Sequence, residues 1–262
     1  IFGQHQPLSG AASDTRKLHS TESLAFFCLQ GQRDGHNFIA SAINQGAKAV
    51  VVKLGWSPNQ ELREYIIQST VTVIEVSDPE KALALWAVGH RQRVFKGIMI
   101  GLTGSNGKTS TKELLASGLR HLGSTLATQG NYNNHLGVPL TLLQLRAEHE
   151  YAVIEMGMNA PGEIAQLTSW VKPDLGLITT IASAHLAGLG SIEAVAAAKG
   201  ELITQCGSAP ILIPSSIPIA LRQVASQEAV SFSLLQGKSQ PLIYLLPDMT
   251  HHLERLTHEH EF

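Results

Sequence analysis

Apolar residues follow two patterns along this chain. Short, largely apolar runs occupy 24–29, 49–52, 71–76, 97–100, 151–154, 175–178 and 211–213. Between them, apolar residues recur at helical spacing over 38–46, 58–68, 79–93, 107–122, 137–145, 162–170 and 191–204. Strands without a polar face, separated by helices, predict parallel sheets covered on both sides. Asp78-Pro79 marks one helix start clearly, an acidic cap followed by proline at the first helical position. The alternation predicts an α/β unit over 1–96 and a second one from 97 onward. Strand order is not legible, but ligands of such sheets gather at the strands' carboxyl ends. Residues 1–13 read as loop or an incomplete first element. After Pro214 the pattern fades: a helix over 217–225 and strands over 230–233 and 242–246 are expected, then a polar tail over 248–262. His251, His252, His258 and His260 in that tail have spacing a metal could use, but a solvated tail is the simpler reading.

The stretch Gly101-Leu102-Thr103-Gly104-Ser105-Asn106-Gly107-Lys108-Thr109-Ser110 sits between a strand and a helix. That context is what a phosphate-binding loop requires. Glycines let backbone N–H groups converge on phosphate oxygens, and the helix N-terminus adds unpaired donors. Lys108 is placed to reach the β/γ-phosphates and Thr109 to bind Mg²⁺. The common G-x-x-x-x-G-K-[ST] spacing is broken by one position, since Leu102 stands five residues before Gly107. A tight turn without nucleotide is the alternative; the context favours ATP.

Three further side chains belong to the same expected rim. Glu155 closes the strand over 151–154 and is a candidate Mg²⁺ ligand, or else a solvated acid. His185 follows the strand over 175–178 and is either a ligand or a structural histidine. Lys199 lies late in a helix of small apolar residues. It either snorkels toward solvent or is a desolvated amine made nucleophilic by a lowered pKa. The amide-rich loop holding Asn131, Asn133 and Asn134 suits a base, a metal's water shell, or its own backbone.

Composition narrows the picture. At 262 residues with 44% hydrophobic and 15% charged positions, the chain has a core to bury and too little charge for extensive disorder. A net charge of −2 gives no electrostatic reason to expect nucleic acid. Cys28 and Cys206 lie far apart among apolar residues and read as inert buried thiols in a reducing compartment. No apolar run reaches the length of a membrane span. No signal-peptide pattern opens the sequence, and Ile1 suggests that the true beginning is missing.

Taken together, these motifs resemble the ATP-dependent Mur ligase family. Residues 103–109 match that family's phosphate loop, which carries the same off-pattern glycine. Residues 130–142 and 155–164 resemble the MurF type, with Ala184-His185-Leu186 and Ala198-Lys199-Gly200-Glu201 following in order. In the first unit, Ser13-Asp14-Thr15-Arg16 and Asp34-Gly35-His36 resemble the family's UDP-sugar-binding segments. The resemblance runs from about 13 to 202.

It implies a small N-terminal α/β UDP-binding domain over 1–96 and a P-loop-type parallel-sheet ATP-binding domain over 97–247, incomplete after about 205. It also implies a reaction. ATP phosphorylates the carboxylate of UDP-N-acetylmuramoyl-tripeptide, and D-alanyl-D-alanine attacks the acyl phosphate. By matching position, Gly104, Ser105, Asn106, Gly107, Lys108, Thr109, Ser110, Asn131 and Asn134 hold ATP. Lys108, Glu155, His185 and Lys199 carry catalysis. Thr109, Glu155 and His185 hold Mg²⁺, joined by Lys199 if it is carbamoylated. A cytoplasmic bacterial monomer is expected.

Departures are visible as well. Thr180 stands where asparagine is usual, five residues before the family histidine, and Ala187 and Leu189 replace a common Glu and Phe. The family's C-terminal Rossmann-like domain has no room in this chain, so an inactive fragment is the leading expectation. Another Mur-type amino-acid ligase and a non-catalytic UDP-sugar- or nucleotide-binding relative are the alternatives.

Overall fold

The computed structural model describes residues 7–18, 23–31, 33–182, 190–214 and 232–235. Its strands are β1 (Gly10–Ala12), β2 (Leu24–Phe27), β3 (Ala49–Lys53), β4 (Thr72–Val76), β5 (Ile98–Thr103), β6 (Thr125–Ala127), β7 (Tyr151–Glu155), β8 (Leu175–Ile178), β9 (Ile211–Pro214) and β10 (Phe232–Leu235). Its helices are α1 (Ile39–Asn44), α2 (Gln60–Ser69), α3 (Pro79–Val94), α4 (Lys108–Arg120), α5 (Gly137–Leu142), α6 (Glu163–Val171) and α7 (Ile192–Gln205).

The chain divides into two compact units. The first is a parallel sheet in the order β1-β2-β3-β4. Phe26, Val50 and Val52 pack on one face with Ile39 and Ala42 of α1 and with Leu62 and Ile66 of α2. Phe27, pointing the other way along the strand, stacks on Trp86 of α3 at 6.0 Å. Covering on both faces is why β2 is apolar throughout. Asp78 caps α3 by accepting from the Lys81 N–H at 3.0 Å, with Pro79 opening the helix. Asn59 caps α2 in the same way through Leu62.

The second unit is a parallel sheet in the order β10-β9-β8-β5-β7-β6. From β5 the chain runs to the edge strand β6, returns to β7 between the two, then crosses to the other side of β5 at β8. The crevice between β5 and β8 is therefore a topological switch point, the usual ligand position in such sheets. Every residue of β7 is buried, Glu155 included.

The parallel α/β architecture expected from the apolar runs is present in both units. Differences lie in short elements. β1 forms within the stretch read as loop or an incomplete first element, in keeping with the second alternative; the three-residue β6 was not expected and is too short for a periodic signal. Residues Tyr132–Ala147, assigned from sequence to the second unit, group with the first. The expected helix over 217–225, the strand over 242–246 and the histidine tail lie outside the described residues. Cys28 is buried, as expected, whereas Cys206 is only half-buried. Burial pushes both thiols up to about 12. Among the described residues no helix is long and apolar enough to cross a membrane.

Candidate functional site

Strand register brings the expected rim together. Leu102 of β5 pairs with Glu155 of β7 on one side and with Leu177 of β8 on the other. The carboxyl ends of these three strands thus open at one level, and the glycine-rich loop runs from there to α4. Gly104 has φ +154° and Gly107, at the helix N-cap, has φ +79°. Those conformations favour glycine. A Cβ on Gly104 would also collide with the Thr179 side chain.

The loop is held by the segment leaving β8. Thr180 Oγ1 accepts from the Asn106 N–H at 2.9 Å and donates to the Asn106 carbonyl at 3.0 Å. Thr179 Oγ1 donates to the same carbonyl at 2.7 Å. Ser105 N–H donates to the Thr180 carbonyl at 2.8 Å. The Ser105 hydroxyl accepts from Ala182 N–H and donates to its carbonyl. Thr179 carried no signal as a site residue, and Thr180 was visible only as a departure from the family pattern. Their role is backbone positioning, which hydroxyls at the end of a strand can supply.

The charged groups lie next to this loop. Lys108 Nζ donates to the Gly104 carbonyl at 2.9 Å. Thr109 Oγ1 donates to Glu155 Oε2 at 3.1 Å, so two of the expected Mg²⁺ ligands already meet. Glu155 is 1% exposed, and its N–H donates to Thr128 Oγ1 at 2.9 Å. Lys199 is fully buried on α7, and its Nζ has no hydrogen-bond partner among the described residues. Burial, assisted by the positive charge of Lys108, pulls its pKa from 10.5 down to about 8. The snorkelling alternative does not hold: the ammonium is sequestered.

Other expectations are less concentrated. His185 lies outside the described residues. Among those described, no group of three or more His, Cys, Asp and Glu gathers as a metal site. Ser110 and Asn131 are exposed. Asn134 groups with the first unit, and its side-chain carbonyl accepts from Leu136 and Gly137 N–H, at 3.2 and 2.9 Å. That is the self-capping use of an amide which the sequence left open.

In the first unit, Ser13, Asp14, Thr15, Arg16 and Gly35 line a cavity of about 620 Å³ together with Arg33 and Phe38. Arg16 clasps Asp14 at 2.6 Å, which holds that carboxyl below its usual range. Asp34 and His36 are not in the lining. His36 is 7% exposed, bonded to Asp34 at 2.6 Å and stacked on Trp56 at 5.5 Å. They brace the loop that carries Arg33 and Gly35.

Residues 102–252 match the model of the Mur ligase middle domain. The chain belongs to the Mur ligase family. UDP-N-acetylmuramoyl-tripeptide–D-alanyl-D-alanine ligase of Synechocystis is 44% identical over 197 residues, covering 75% of this chain and 41% of that protein. Its Escherichia coli counterpart is 42% identical over 205 residues, 78% of this chain and 42% of that one. Among solved structures, a Thermotoga maritima MurF ligase in complex with ADP superposes with a TM-score of 0.72 at 28% identity. That match covers 86% of this chain and 49% of the other. The chain thus spans less than half the length of these Mur ligases.

Proposed function

We propose that this chain carries the UDP-sugar-binding and ATP-binding parts of a MurF-type ligase. The complete protein would join D-alanyl-D-alanine to UDP-N-acetylmuramoyl-tripeptide in the bacterial cytoplasm. The observation that carries the reading is the hydrogen bond joining Thr109, just after the glycine loop, to buried Glu155 at the end of β7, with buried Lys199 close enough for the charge of Lys108 to act on it. Backbone donors and a helix N-terminus suit phosphate oxygens. A hydroxyl paired with a buried carboxylate is an oxygen donor set suited to Mg²⁺. Bound there, Mg²⁺ would neutralise charge on the phosphoryl group as it meets a carboxylate. Lys108 would serve as a second charge clamp, and Gly104 and Gly107 would let the backbone close on the phosphates.

Lys199 has the features that favour carbamoylation. Its pKa near 8 leaves a useful fraction of free amine near neutral pH. The ammonium loses one proton to give the amine, whose attack on CO₂ forms an N–C bond and releases a second, so that a cation becomes an anion. The carbamate would add an oxygen ligand where the buried lysine has no hydrogen-bond partner among the described residues. The cavity beside Arg16 and Arg33 supplies guanidinium groups suited to the diphosphate of a UDP-sugar.

The test is calorimetric titration of this chain with ADP and Mg²⁺, and separately with UDP. Both should bind, and Lys108→Ala should abolish only the first. Phosphate release by the full protein of the parent gene, given the UDP-muramoyl-tripeptide, ATP, D-alanyl-D-alanine and Mg²⁺, separates a ligase from a non-catalytic binder. Absence of release would overturn the ligase reading; turnover by the 262-residue chain alone would overturn the reading that it is an inactive fragment.

A further inference from the structure

Lys112 is fully buried, yet it lies in the polar run Lys108-Thr109-Ser110-Thr111-Lys112-Glu113 at the start of α4. It sits three residues after Thr109 and therefore on the same side of the helix. Its ammonium uses all its donors. Nζ donates to the Thr128 carbonyl at 2.7 Å, to the Gly130 carbonyl at 3.4 Å and to Glu113 Oε1 at 2.8 Å. Thr128 follows β6, and its own N–H donates to the Val153 carbonyl of β7 at 3.0 Å. Its hydroxyl receives the Glu155 N–H, and the Glu155 carboxylate receives the Thr109 hydroxyl.

These bonds close a ring. It leaves α4 at Lys112, passes through Thr128 and Glu155, and returns to α4 at Thr109. A buried cation is a weak source of stability, since an apolar side chain of similar volume does as well or better. What the ring does supply is location. It fixes the end of β7 against the first turn of the helix that carries the nucleotide-site residues.

We propose that Lys112 and Thr128 are positioning residues for the magnesium-binding pair Thr109–Glu155. Neither touches the nucleotide. Lys112 holds the backbone of Thr128, and the Thr128 hydroxyl holds the backbone of Glu155, so the carboxylate is presented at a set position to a divalent cation shared with a phosphate. This inference rests on the reading of the rim as a Mg²⁺–nucleotide site. Supporting residues of this kind typically alter metal affinity by about 10- to 100-fold when removed.

The experiment measures ADP affinity of the 262-residue chain by calorimetry, once in EDTA and once in saturating Mg²⁺. The ratio of the two constants isolates the metal's contribution. Lys112→Met and Thr128→Val should each reduce that ratio by about tenfold or more, with affinity in EDTA held within about twofold. Thr128→Ser, which keeps the hydroxyl, should restore the ratio. A purely structural role would instead weaken binding equally in both buffers, or lower the melting temperature with the ratio intact; either result overturns the proposal. Should Lys112→Met fail to fold, the Thr128→Val and Thr128→Ser pair decides by itself. If the unaltered chain shows no Mg²⁺-dependent ADP binding, the functional reading of the rim falls, and this inference falls with it.

Discussion

Replacing Lys199 by methionine should make the second unit more stable. The lysine is fully buried without a hydrogen-bond partner among the described residues, and its pKa is drawn from 10.5 to about 8. At about 1.36 kcal/mol per pH unit, that difference corresponds to roughly 3 kcal/mol of destabilisation wherever the amine is charged both folded and unfolded. Methionine fills nearly the same volume and carries no charge. At pH 7 in carbonate-free buffer, the melting temperature of this unit should rise by roughly 6–12 °C.

The pH dependence gives the sharper check. The folded pKa is depressed, so the unfolded state binds more protons between about 8 and 10.5, and stability of the unaltered chain climbs with pH there. That gain is complete above 10.5 and lost as pH falls through 8. The gap between Lys199→Met and the unaltered chain should therefore close as pH is raised from 7 to 10. Bicarbonate should narrow it at pH 7, because a carbamate removes the buried cation, and should leave the methionine variant unmoved. A gap independent of pH, or a methionine variant less stable than the lysine chain, would refute the reasoning.

Other substitutions probe the remaining parts of the site. Gly104→Ala should destabilise the chain by about 1–3 kcal/mol and eliminate ADP binding, because the new Cβ meets Thr179 and the backbone lies at φ +154°; thermal melts and calorimetry read both effects. Thr180→Val removes two hydrogen bonds to the Asn106 backbone and should weaken ADP binding in EDTA as well as in Mg²⁺, by about 1 kcal/mol. Glu201 accepts from the Gly162 and Ala165 N–H groups, at 2.6 and 2.9 Å, capping α6 from α7; Glu201→Ala should lower stability in urea titration by about 1–2 kcal/mol. Arg16→Ala should weaken UDP binding in fluorescence competition and leave ADP affinity unchanged.

Much of the framework could be read from residue order because parallel strands buried on both faces are apolar throughout. Tyr151-Ala152-Val153-Ile154 announces β7, and Asp78-Pro79 announces α3 almost to the residue. The glycine loop was legible for a related reason: backbone chemistry demands glycine at Gly104 and Gly107, and few other residues substitute. What stayed hidden depends on contacts between distant segments. Lys112 in a Ser-Thr-Lys-Glu string looks like a solvated face, and nothing local says that carbonyls of Thr128 and Gly130 await it. Thr179 and Thr180 look like ordinary strand-end residues until the loop is seen threaded beside them. For Asn134, sequence offered three uses, and its side-chain carbonyl is taken up by the backbone of its own helix start.

The grouping of Tyr132–Ala147 with the first unit has a consequence for synthesis on the ribosome. α5 packs against α3, and His90 Nε2 lies 2.9 Å from the Leu145 carbonyl. When residue 96 has emerged, the first sheet is complete, yet α3 still lacks this cover. Strand β5, the glycine loop and α4 must all leave the tunnel before the missing piece arrives. The two units therefore mature interleaved in time, and a gene cut at the apparent boundary after Lys96 would yield a first unit with part of its apolar surface bare.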